Sequence, residues 1–67
     1  MEPITMKAAR VNADLTQADV AGKMCVSNKT VMNWETGKVI PKPAQFKMYC
    51  DIVGRPEDDI LLPTNET

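Results

Sequence analysis

Leu15-Thr-Gln-Ala-Asp-Val-Ala-Gly-Lys-Met-Cys-Val-Ser-Asn-Lys-Thr-Val-Met-Asn-Trp-Glu-Thr-Gly37 is the stretch whose reading decides the fold. Apolar residues recur in it at helical spacing, and nothing in it alternates with the period of two that a strand needs. Thr16 can cap one helix, with Asp19 at the capping-box position, and that helix should end near Met24. Ser27 is a good N-cap for a second helix running through Thr36, which Gly37 terminates in the left-handed conformation. Only about three residues separate the two, the tight junction of a helix-turn-helix.

Outward from this pair the same logic gives three more helices. One is expected from Ile4 to Asn12, with Pro3 tolerated at its start and Met6, Ala9 and Arg10 on its inner face. Another is expected from Pro43 to Val53, where Phe46, Tyr49, Cys50 and Val53 form a core stripe and Gly54 ends the helix. On that stripe Tyr49 and Cys50 read as packing residues. A last helix is expected at Pro56, because Glu57, Asp58 and Asp59 suit the positive end of a helix dipole, and Ile60 with Leu61 would close the core. The fold class predicted is all-α, a compact five-helix domain over residues 1–62, with 63–67 as a loose tail.

Composition sets the limits. The chain has 67 residues and a formal charge of −1, so it holds one small core. It has no His and only Cys25 and Cys50 as soft ligands, which argues against metal and triad chemistry. No glycine-rich phosphate loop is present, and the carboxylates are scattered, so an enzyme is not expected, nor is a cofactor or small-molecule ligand. No apolar run approaches the ~20 residues of a membrane helix, and no leader pattern opens the chain. A cytoplasmic protein with free thiols is the expectation.

Leu15, Gln17, Ala21, Val26, Ser27, Val31, Trp34, Glu35, Gly37 and Pro41 stand at spacings that resemble the Cro and phage-repressor (Xre-type) helix-turn-helix family. The likeness continues through Phe46-x-x-Tyr-Cys-x-x-Val-Gly54 and Asp58 to Leu61. It implies a lambda-repressor-like domain, with helices two and three as the helix-turn-helix. It further implies a repressor acting as a homodimer on a palindromic double-stranded DNA operator, with half-sites ~34 Å apart. In this family an Arg of helix one often pairs with the Glu at position 35, and Arg10 stands at the matching place. Gln17 matches a phosphate-contact position that can also brace the recognition helix. Cys25 departs from the pattern, since the family usually has Gly at that turn.

Helix geometry nominates the side chains that would read DNA. With Val31 facing the core, steps of about 100° place Lys29 near 160°, Asn33 near 200° and Thr36 near 140° from it. Asn28 lies in the open first turn, and Asn, Lys and Met suit adenine, guanine and the thymine methyl respectively. The base-reading candidates are therefore Asn28, Lys29, Met32 and Asn33. Gln17, Ser27, Thr36, Lys38 and Lys42 are the phosphate candidates. The alternative for the polar residues among them is a merely solvated outer face.

The charge of −1 looks unsuited to DNA until it is divided. Residues 1–42 carry six basic and four acidic side chains, net +2, and residues 43–67 two basic and five acidic, net −3. The small basic excess calls for dimerisation to double the contacts. Val39, Ile40 and Leu62 are the apolar residues left over for a dimer surface. The competing reading is a protein-interaction module, an antitoxin or antirepressor, which the acidic second half would suit.

Overall fold

Thr5 sets where the first helix begins. Its hydroxyl accepts a hydrogen bond from the Ala8 N–H at 3.1 Å. In the computed structural model, which describes residues 3–61, α1 accordingly runs Met6–Asn12, not from Ile4. Ile4–Thr5 are instead extended as β1 and pair in parallel with β2, Ile60–Leu61, in the register Ile4 to Ile60 and Thr5 to Leu61.

The helix-turn-helix follows the sequence closely. α2 is Gln17–Met24, opened by a complete capping box: the Thr16 hydroxyl accepts from Asp19 N–H at 3.0 Å, and the Asp19 carboxylate accepts from Thr16 N–H at 2.9 Å. α3 is Asn28–Glu35, with Ser27 Oγ accepting from Thr30 N–H at 3.2 Å. α4 is Pro43–Val53, and there Gln45 Oε1 accepts from Lys42 N–H at 2.9 Å.

The fifth helix is not formed. Glu57–Asp59 make one 3₁₀ turn, and Ile60–Leu61 then leave as strand. The described residues therefore hold four α-helices, the 3₁₀ turn and a two-stranded ladder. The fold remains of the all-α kind, but not with five helices. Leu61 does not close the core either. A strand sends successive side chains to opposite faces, so Ile60 points in at 4 % exposure and Leu61 out at 50 %. The expected tail 63–67 lies outside the described residues, as does Leu62.

All four α-helices stop in the same way. In each, one N–H reaches back five residues and the one before it reaches back three: Leu15 to Arg10 with Asp14 to Val11, Val26 to Ala21 with Cys25 to Gly22, Lys38 to Asn33 with Gly37 to Trp34, and Arg55 to Cys50 with Gly54 to Asp51, at 2.9–3.4 Å. This is the Schellman closure, which needs a left-handed residue. Asp14, Cys25, Gly37 and Gly54 supply it, at φ of 60°, 59°, 79° and 76°. Glycine does so without strain, whereas a side chain there costs ~1–2 kcal/mol. The turn between α2 and α3 thus takes the usual shape in spite of Cys25.

The core is one cluster from Met6, Ala9, Val20, Ala21, Met24, Val31, Trp34, Phe46, Tyr49, Cys50, Val53 and Ile60. α2 packs on both α3 and α4, and α1 on α3 and β2. Ala21, 2 % exposed, is small where α2 meets its neighbours. No helix among the described residues is long and apolar enough to cross a membrane.

Candidate nucleic-acid interface

The interface is built from the end of α3 backwards. Glu35, the last residue of α3, has its side chain only 2 % exposed, and a buried carboxylate is tolerable only if its charge is matched and its oxygens are hydrogen-bonded. Arg10 of α1 supplies the match: Nε donates to Glu35 Oε2 at 2.7 Å and Nη2 to Oε1 at 3.1 Å, a bidentate pair. Its Nη1 donates to the Leu15 carbonyl at 2.9 Å, which ties the α1–α2 turn into the same group. The pair implied by the resemblance is present.

Gln17, in the first turn of α2, donates from Nε2 to Glu35 Oε1 at 3.1 Å. It braces α3, as one of its two expected roles required. Tyr49 of α4 completes the set, with its hydroxyl 2.8 Å from Glu35 Oε2 and 2.8 Å from the Met6 carbonyl. Burial alone pushes the Glu35 carboxyl upward, but the donors from Arg10, Gln17 and Tyr49 outweigh it and hold the group below the ordinary carboxylate value. Hydrogen bonding to Glu35 holds the Arg10 guanidinium above its ordinary value against the effect of burial. Burial first, and Glu35 second, push the Tyr49 phenol far above its usual range, so it stays a proton donor. The reading of Tyr49 as a packing residue was incomplete. The available signal was that a tyrosine on an apolar stripe needs a partner for its hydroxyl once buried.

With α3 held at its end, its outer face is presented to solvent. Asn28, Lys29 and Met32 are exposed and Asn33 is half-buried, while Val31 and Trp34 of the same helix are buried. Three of the four base-reading candidates, Asn28, Lys29 and Met32, are therefore open to solvent, and Asn33 is partly covered.

The phosphate candidates divide by what their donors already do. Lys38 and Lys42 are exposed, the first just after α3 and the second at the N-cap of α4. Ser27 and Thr36 are exposed at the two ends of α3. The Ser27 hydroxyl lies 2.9 Å from Thr30 Oγ1 as well as capping the helix. The Thr36 hydroxyl turns back on its own helix, 3.0 Å from the Met32 carbonyl and 3.3 Å from that of Asn33, so its proton has a partner already. Gln17 keeps one Nε2 hydrogen uncommitted after bonding Glu35.

Searches of the curated proteins and of the solved structures found no match to the chain. A family model does match it, over residues 4–62, and is described as a helix-turn-helix domain. That span takes in α2, the three-residue turn and α3 together with the elements that hold them, and the chain belongs to the helix-turn-helix domain family, a family of DNA-binding domains.

Proposed function

We propose that the protein binds double-stranded DNA sequence-specifically and regulates transcription as a repressor of the Cro and phage-repressor type, a homodimer on a palindromic operator. The observation that carries this reading is the exposed face of α3. Asn28, Lys29 and Met32, with Asn33 beside them, form a polar and methyl-compatible surface on a helix whose far end is tied down by Arg10, Gln17 and Tyr49. Such a helix is suited to lie in the major groove, where amide, ammonium and thioether groups discriminate base edges. Lys38 and Lys42, with the free hydrogen of Gln17, are the phosphate donors on the flanks, and Ser27 and Thr36 complete the phosphate set with hydroxyls that must exchange partners.

Dimerisation is supported by size and charge. The longest dimension is 28 Å, so two copies fit on half-sites ~34 Å apart without overlap. The net +2 of residues 1–42 is small for a monomer, and a pair doubles it. Val39 and Ile40, 46 % and 40 % exposed, are the apolar residues proposed for the contact.

Selection from random duplex DNA, followed by titration of the winner at two salt concentrations, tests the proposal. A palindromic consensus is expected. Asn33→Ala should then relax the preference at one base pair per half-site, while Lys42→Ala should weaken all duplexes alike and lower the salt slope by about one. No enrichment at low salt overturns the reading in favour of a protein partner.

A further inference from the structure

Four hydrogen bonds converge on the Glu35 carboxylate, and they come from three different helices: Arg10 of α1 gives two, Gln17 of α2 one and Tyr49 of α4 one. Tyr49 differs from the other two donors. Its side chain is fully buried, 0 % exposed, and cannot reach a nucleic acid from where it sits. Its single proton faces two acceptors at the same distance, the Met6 carbonyl at the start of α1 and Glu35 Oε2 at the end of α3. One phenol proton, shared between these two acceptors, therefore links α4 to the start of α1 and the end of α3. A phenylalanine would fill the same space and join neither.

The position of this tie along α3 matters. Asn28 and Glu35 are the first and last residues of the helix, about 10 Å apart at about 1.5 Å per residue. Pivoting α3 by about 10° about its core contacts, Val31 and Trp34, which lie about 4.5 and 9 Å from Asn28, shifts Asn28 by about 0.8–1.6 Å, more than the spread of about 0.5 Å that a hydrogen bond to a base edge tolerates. Val31 and Trp34 are buried and seat the helix by shape, and the hydrogen bonds at its end add directional contacts to that seat. Hydrogen bonds to a charged acceptor are such contacts.

We infer that Tyr49 is a positioning residue for base reading: through Glu35 its hydroxyl sets the tilt of α3, although it touches no DNA. This rests on the reading of α3 as the recognition helix. Tyr49→Phe is the direct test, with binding measured to the selected operator and to a random duplex of equal length, below the thermal transition of every variant. Operator affinity should fall about tenfold, the loss of one base contact, with random-duplex affinity and salt slope unchanged. Cys50→Ala, a core variant that leaves the hydroxyl in place, should lower the melting temperature and keep the operator preference.

Tyr49→Phe with wild-type preference and only a lowered melting temperature overturns the inference, and so does an equal loss of preference in Cys50→Ala. A salt slope reduced in Tyr49→Phe overturns it too, since that places the effect on a backbone contact. If wild-type protein selects no duplex, the functional reading fails by itself, and residual dipolar couplings of the α3 amides decide the rest. Couplings in Tyr49→Phe that rotate or shrink for α3 alone support positioning, and unchanged couplings refute it.

Discussion

Cys25→Gly should make the protein more stable, and the reason is confined to one backbone angle. Cys25 closes α2 at φ 59° and ψ 42°, and its side chain is exposed, so removing it forfeits no core packing. The left-handed conformation costs a non-glycine residue ~1–2 kcal/mol, and glycine's extra freedom in the unfolded chain returns ~0.4–1 kcal/mol of that gain. The net expectation is a stabilisation centred on ~0.8 kcal/mol, within a range of ~0–1.6 kcal/mol. For a domain of this size the central value corresponds to a melting-temperature rise within about 2–8 °C.

Thermal unfolding followed by far-ultraviolet circular dichroism, in reducing buffer at fixed protein concentration, measures it. Two companions isolate the cause. Cys25→Ser keeps a side chain at the same angle and should change little. Gly54→Ala inserts one at φ 76°, where an added Cβ meets nothing within 4 Å, so its cost should be backbone strain alone. Should Cys25→Gly be neutral or destabilising while Gly54→Ala costs ~1 kcal/mol, the assignment of strain to the turn before α3 is wrong.

Four further outcomes follow from the same structure. Arg10→Met should cost about 3–5 kcal/mol in urea denaturation, because it leaves the Glu35 carboxylate buried without its counter-charge. Glu35, whose folded value is lowered beneath 4.5, contributes stability that is complete above the unfolded value and is lost as pH falls through the folded one. Acid unfolding should therefore begin beneath about pH 4.5, and Glu35→Gln should flatten that limb. Gly22→Ala, in α2 with open space around its Cβ position, should add ~1 kcal/mol, read from the same denaturation curves. A thiol reagent at neutral pH should titrate Cys25 alone in the native protein and both cysteines in denaturant, since burial, helped by Glu57 and Asp51, pushes Cys50 up to about 11.

The helix-turn-helix was legible because its signals are local. Thr16 with Asp19, Ser27, Gly37, and Pro43 with Gly54 each act within a few residues of themselves, and each did so in the structure. Arg10 and Glu35 were reachable only through the resemblance, being 25 positions apart in sequence. The ladder was not legible, because two-residue strands are too short to show alternation, and the acidic run after Pro56 suits a helix start equally well. What stopped that helix was a distant partner: β1 supplies hydrogen bonds to Ile60–Leu61. The hydroxyl partners of Tyr49 were hidden for the same reason, as Met6 and Glu35 lie far from it along the chain.

The parallel ladder gives the domain a mechanical character that its helices alone would lack. β1 lies near the start of the described chain and β2 at its end, and the two run in the same direction. A pull applied to the two ends therefore draws β1 and β2 past each other along their length. The ladder bonds, which lie across the strands, are loaded together in shear and not peeled one by one. The four ladder residues, of which Ile60 is also part of the core, thus serve as a clasp that tension on the chain loads first.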